Sequence, residues 1–245
     1  MARVAPLIPA ESDILCEQCG YTLNGLSEHG RCPECGTPVL DSTSPARRRP
    51  AQWDEPARMG IVAFLSTTIQ VIFRPTRFFR ALATRQPLRQ PLIFAWIHWS
   101  ITSLLLGIVA WGHVDLHWQM SLWTSLRASP RLIVPFSLAA LIVIAGTTEL
   151  AARLTSWEAA YRGLRLPLNV VRRGLYYHAA HYLPVALLAL LIVFGYRFIV
   201  AAGWLDPYLS AQRYLYTLAG AVILSAGYLF KTYWIGMRNM MFANR

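Results

Sequence analysis

Residues Pro91–Trp111 read PLIFAWIHWSITSLLLGIVAW, with no Asp, Glu, Lys or Arg among them. A helix of roughly 20 apolar residues covers the hydrocarbon thickness of a bilayer, so this run predicts a membrane-spanning helix rather than a core helix of a soluble domain. Three further runs are similarly long and apolar, each with a single charged residue: Leu132–Leu150 with Glu149, Tyr182–Ala202 with Arg197 and Tyr214–Trp234 with Lys231. Trp111, Trp118 and Trp234 stand at or beyond the ends of runs, where interfacial aromatic belts form. Trp96 and Trp99 are three apart and can share one helix face. The predicted fold is mainly α, a polytopic membrane protein with four spans at about 91–111, 132–150, 182–202 and 214–234.

Composition agrees. The chain of 245 residues is 55% hydrophobic and 14% charged, against roughly 45–50% and about 25% in soluble domains. Its mean hydropathy is +0.37. These figures exclude a disordered chain, a collagen and a disulfide-stapled miniprotein. The net charge of +11 would suggest nucleic acid in a soluble protein, but its distribution points to topology. Eleven arginines precede the first span, five lie between the second and third, and three basic residues lie at or beyond the end of the fourth. The other two intervals hold two each, counting Arg197 late in the third run with Arg213. The positive-inside rule then predicts both termini in the cytoplasm. Met1–Pro9 lacks the apolar stretch of a signal peptide.

Met59–Phe73 is too short to span and contains Ser66, Thr67, Thr68 and Gln70, so an interfacial or re-entrant segment is expected over about 59–86. After it, Arg74, Arg77 and Arg80 recur at spacings of three, opposite Phe78, Phe79 and Leu82, with Arg85 at the boundary. That pattern predicts an amphipathic helix in the headgroup plane, with these arginines and phenylalanines meeting anionic lipid.

All four cysteines fall in one short segment, Cys16-x2-Cys19-x12-Cys32-x2-Cys35. Two CxxC pairs around a short loop predict tetrahedral zinc held by four thiolates, with a rubredoxin-like iron site as the alternative. Four protein ligands leave no open position, so the metal is structural, and in so small a module it must supply most of the folding energy. Gly20 and Gly36 follow the second cysteine of each pair, where a tight turn is needed. A cytoplasmic location disfavours two disulfides. The expected organisation is a small β zinc ribbon over 1–40, an exposed linker over 41–58 containing Arg47–Arg49, and a membrane domain over 59–245. Residues 1–45 carry two arginines against six carboxylates, so the module is acidic and nucleic acid is not an expected partner.

The stretch CEQCGYTLNGLSEHGRCPECGTPV resembles the short zinc ribbon that opens many bacterial membrane proteins. VIFRPTRFFRALATRQPLRQPLIFAWI and RRGLYYHAAHYLPVALLALL are similar to the Yip superfamily of membrane proteins, over roughly Met59 to the C-terminus. Eukaryotic members of that superfamily act in vesicle trafficking and bind small GTPases through an N-terminal cytoplasmic segment. Here a ribbon replaces that segment and no DLYGP-type motif occurs, so GTPase binding does not carry over.

Polar residues at membrane depth are functional candidates by default. His98 lies about two turns into the first span, and His178 and His181 open the third, where the rise per residue puts His98 roughly 10 Å deeper than His181. Arg197 lies late in the third run and Glu149 closes the second. Snorkelling is the expectation for Arg197 and Glu149, and interhelical hydrogen bonding for the histidines. His113, Asp115 and His117 are read as an outer loop, and Thr155-x-x-Glu158 as a capping box opening a cytoplasmic helix that Pro167 ends or kinks. No GxSxG, Walker loop, HExxH or GxGxxG motif appears, and no catalytic residue is assigned. The expected function is non-enzymatic: a scaffold or accessory subunit that docks a cytoplasmic protein through its ribbon at an anionic membrane. The alternative is a small transporter with a polar path near His98, His181 and Arg197.

Overall fold

The computed structural model describes residues 9–10, 12–44, 48–55, 60–120, 129–204 and 207–244, and side chains are described for these except 117–120 and 207–210. Among the described residues, eight α-helices follow in order: α1 Leu40–Thr43, α2 Ile61–Phe73, α3 Pro75–Ala81, α4 Arg89–Met120, α5 Ile133–Tyr161, α6 Leu168–His178, α7 Tyr182–Ala201 and α8 Pro207–Met240. Proline marks the starts. Pro75 and Pro207 open α3 and α8, Pro91 lies in the first turn of α4, and Pro167 directly precedes α6. Proline has no N–H, and the first amides of a helix have no intrahelical acceptor, so nothing is lost there.

Among the described residues, four helical segments are long and apolar enough to cross a membrane: Arg89–Leu116, Pro130–Tyr161, Leu168–Ala201 and Ala211–Met240. Three contain a predicted run whole, and the third stops one residue short of the run's end at Ala202. The third is longer than predicted because α6 continues into α7 through a 3-10 turn at Ala179–His181. Pro184 accounts for the tightening, since an α-helical hydrogen bond from position 184 to the Ala180 carbonyl is impossible. At thirteen residues, α2 is below spanning length.

Three local readings change. Thr155 and Glu158 lie inside α5 rather than at a helix start, and Thr155 Oγ1 is 2.6 Å from the Tyr233 hydroxyl. Pro167 therefore begins a helix and does not end one. His113 and Asp115 lie on α4 and not in a loop; the side chain of His117 lies outside the described residues. The apolar character of Val114, Leu116 and Trp118 had enough weight to carry the helix through the polar positions between them.

The chain divides into two compact units, Met1–Ala95 with Thr148–His178 and Thr232–Arg245, and Trp96–Thr147 with Ala179–Lys231. The first unit is built around an aromatic cluster. Tyr177 meets Phe78 and Phe94 with ring centroids 5.2 Å apart in each case, and Trp53 meets Phe64 at 5.6 Å. Phe78 and Phe79 are buried here, so the apolar face of α3 is turned to protein and not to lipid, in contrast to the sequence reading. The outward apolar face belongs to α2, where Ile61, Val62, Leu65, Ile69 and Phe73 are exposed.

The second unit packs Leu116, Val193 and Tyr214 into a small core. Much of its apolar surface faces outward, including Leu138, Ile142, Leu191, Phe198, Val222 and Ile223, as suits helices whose solvent is hydrocarbon. Gly107 allows α4 and α5 to touch: a Cβ there would lie 2.0 Å from Ser137 Oγ and 2.7 Å from the Ile133 carbonyl oxygen. Small residues at a helix contact are how membrane helices approach closely.

Candidate metal centre

The cysteine module is one knuckle written twice, sixteen residues apart. In the first, the Cys16 amide donates to Tyr21 O and the Gly20 amide to Cys16 O, each at 2.8 Å. In the second, Cys32 donates to Thr37 O at 2.8 Å and Gly36 to Cys32 O at 2.9 Å. Gly20 and Gly36 close the turns with φ of 83° and 71°, a region costly for residues with a Cβ. The flanking bridges repeat too, Leu15 with Thr22 and Arg31 with Pro38. These isolated bridges are the only pairing of the module, and no strand forms among the described residues. Leu23 and Val39, equivalent positions of the repeat, bury themselves with Cys16 and Cys32 as its small core.

The four Sγ atoms lie within 4.8 Å of one another. Cys16 to Cys35 is 3.5 Å and Cys19 to Cys32 is 3.6 Å. A disulfide would need about 2.05 Å, whereas four bonds of about 2.3 Å in a tetrahedron place sulfurs about 3.8 Å apart. The set therefore fits a metal ion, and no disulfide joins the cysteines. Cys35 is already prepared as a ligand, because the Thr37 hydroxyl and amide beside its sulfur hold the thiol down to about 6. Burial pushes the Cys16 thiol up and the Cys19 thiol up to about 12.

The stretch after the module is no exposed linker in its described part. Arg48 is buried and satisfies all five of its N–H donors. Its Nε and Nη2 donate to Glu17 at 2.8 and 3.1 Å, Nη1 to Phe79 O and Leu82 O, and Nη2 also to Asn239 O. The fixed fork of guanidinium suits this use. Arg49 follows in a parallel bridge with Leu82. Trp53 is buried and donates to Gln90 O at 2.8 Å. Asp54 pairs with Arg173, which is fully buried, and accepts from the Tyr177 hydroxyl. Arg47 lies outside the described residues.

The C-terminus grips the module from another side. The Asn244 side chain accepts from the Leu15 amide and donates to Leu15 O and Ser42 O, all at 2.8 Å. Buried Arg165 donates to Ala10 O and Asp13 O, and to Ala243 O and Asn244 Oδ1. Phe242 packs so closely on Gly20 that a Cβ there would lie 2.6 Å from its ring. The module is thus clamped to its unit and does not hang on a tether. Sequence reasoning missed Glu17, Arg48, Asp54, Arg165, Arg173 and Asn244. One signal was present, the acidic module beside a run of arginines.

The intramembrane candidates are placed separately. In the first unit, His178 Nε2 is 2.9 Å from Thr232 Oγ1. In the second, His181 Nδ1 is 2.7 Å from the Tyr228 hydroxyl, and His98 is buried. Arg197 does not snorkel: it pairs with buried Asp115 at 2.8 Å and lies over the rings of Trp111 and Phe194. Glu149 is likewise held, by Arg172 at 2.9 Å and by the Tyr176 hydroxyl. Among the described residues, the four cysteines are the one group of three or more His, Cys, Asp or Glu able to hold a metal ion. Arg74, Arg77, Arg80 and Arg85 are all exposed. Neither a family model, nor a curated protein, nor a solved structure matches the chain.

Proposed function

We propose that this chain is a non-enzymatic protein of the bacterial cytoplasmic membrane, with both termini in the cytoplasm, whose zinc-bound module docks a cytoplasmic protein at an anionic membrane face. The convergence of four thiols into a closed ligand set, in a module clamped to its unit, carries this reading. Zinc bound there supplies four strong bonds to a module too small to fold on its core alone. The chain's residues do the rest. Arg48, Arg165 and Asn244 fix the module's orientation, so one side is consumed in holding it. The module's exposed residues include Tyr21, Leu26 and Leu40 and the acids Glu28, Glu34 and Asp41. Apolar side chains fringed by carboxylates suit a basic, partly apolar segment of a partner protein. The Yip-like resemblance and the β-ribbon class belong to the same proposal.

Photo-crosslinkers at Tyr21 and Leu26 in the full-length protein test it, compared between zinc-loaded protein and the Cys16→Ser/Cys32→Ser variant. Adducts specific to the zinc-loaded form support docking; identical adducts in both remove it. The Asp115–Arg197 pair favours a second reading, a transporter using that pair with His98 and His181. Unchanged flux in proteoliposomes on replacing Arg197 with Leu would eliminate that reading.

A further inference from the structure

An open cleft of about 560 Å3 lies between the segment at Arg49–Glu55 and the adjoining ends of α2 and α3. Its size falls within the roughly 300–1,000 Å3 of small-ligand sites. Arg49, Arg74 and Arg77 line it with the amides Gln52 and Gln70, and Glu55 is the one carboxylate among the lining residues. Arg74 and Arg77 are both exposed as well as lining the cleft. The two exposed guanidinium groups of Arg74 and Arg77, with two amide side chains beside them, form an anion site.

The helix that leads into this cleft has an apolar outer face. Ile61, Val62, Leu65, Ile69 and Phe73 are all at least half exposed. At about 100° per residue they fall within an arc of roughly 120°, one stripe along the helix. Ala63, Thr67 and Val71, on the other side, are buried. The stripe ends at Phe73, next to Arg74. Thirteen residues rise only about 20 Å, so the helix does not cross a bilayer and its stripe lies along one leaflet. An apolar track that stops at a pocket of arginines matches one kind of molecule, with hydrocarbon chains joined to a phosphate.

We propose that this cleft binds the phosphodiester of an anionic phospholipid, whose acyl chains lie along the exposed face of α2. Arg74 and Arg77 grip the phosphate oxygens, and Gln52 and Gln70 donate to the headgroup. This differs from a basic helix attracted to a charged surface, because it requires the cleft and not merely the charge. It rests on the membrane placement proposed above and not on the docked partner.

Native mass spectrometry of the full chain in detergent, titrated with phosphatidylglycerol and separately with phosphatidylcholine, tests it. Phosphatidylglycerol adducts are expected to form preferentially. The Arg74→Gln/Arg77→Gln variant should weaken them roughly tenfold or more, and Arg153→Gln/Arg162→Gln, the same charge change elsewhere, should not. Gln52→Glu at the cleft's lip should weaken the adducts without touching an arginine, and unchanged zinc stoichiometry reports that each variant is folded. Equal loss in both double variants would overturn the proposal, as would retained lipid preference in Arg74→Gln/Arg77→Gln and Gln52→Glu. So would displacement of all preference by inorganic phosphate, which would identify the free ion as the ligand. Failure here leaves the crosslinking test of partner docking untouched.

Discussion

The two units of this protein are held by opposite kinds of interaction. The first concentrates buried ions: Arg48 with Glu17 and Arg173 with Asp54 have side chains no more than 6% exposed. Each guanidinium also gathers backbone carbonyls, Phe79 and Leu82 for Arg48 and Pro87 for Arg173. The second pairs Arg197 with Asp115, and otherwise its described contacts are close helix packing and single hydroxyl–histidine bonds. Where water is the solvent, apolar burial stabilises a unit and polar groups specify its geometry. In hydrocarbon, helices gain little from burying apolar surface and depend on shape and a few polar contacts. The thiol cluster and buried ion pairs of the first unit should therefore respond strongly to single changes, and the second unit weakly.

Removing the metal provides the largest contrast. Chelation, or Cys16→Ser/Cys32→Ser, should forfeit most of an apparent zinc contribution of about 10–16 kcal/mol. Hydrogen exchange should then lose protection at Cys16, Leu23, Cys32 and Val39, while the amides of α7 beyond Tyr182 keep theirs. Concerted loss across both units would break the comparison. Next in size is Arg173→Met, which leaves Asp54 buried without its partner and should cost about 3–5 kcal/mol in a denaturant melt of the detergent-solubilised protein. Adding Asp54→Leu should recover much of that loss, since the penalty arises from the stranded charge. No recovery would show that the pair is secondary to packing around Tyr177.

The four spans were legible because twenty apolar residues in a row have few alternative fates, and the cysteine pairs because their spacing encodes ligand geometry. The clamp was not. Arg48 in a Pro- and Ser-rich stretch looks like any solvated arginine, and its acceptors are Glu17 and three carbonyls, one of them Asn239, far along the chain. Carbonyl acceptors leave no trace in side-chain identity. The same blindness sent Phe78 and Phe79 to lipid: helical periodicity identifies an apolar face but not which apolar medium covers it. Asp115 hid for a different reason, since His113 and His117 around it suggested a hydrated loop, and only Arg197 on another helix made a carboxylate tolerable inside one.

Two smaller effects probe the second unit. Gly107→Leu would force atoms into space held by Ser137 Oγ and the Ile133 carbonyl, and overpacking of this kind costs about 1–3 kcal/mol. It should lower the melting midpoint without changing zinc content, because the four thiols belong to the other unit. Tyr228→Phe is smaller again. It removes the hydroxyl 2.7 Å from His181 Nδ1 and leaves the ring, which packs edge-on against the imidazole at 5.5 Å between centroids. Hydrogen bonds between membrane helices average only about 0.6 kcal/mol, because the unfolded helices also find partners. A shift of that size in a reversible unfolding measurement would place His181 with ordinary interhelical bonds. A loss several times larger would mean that the His181–Tyr228 contact organises a polar site, and the second unit would then share the first unit's dependence on precisely paired groups.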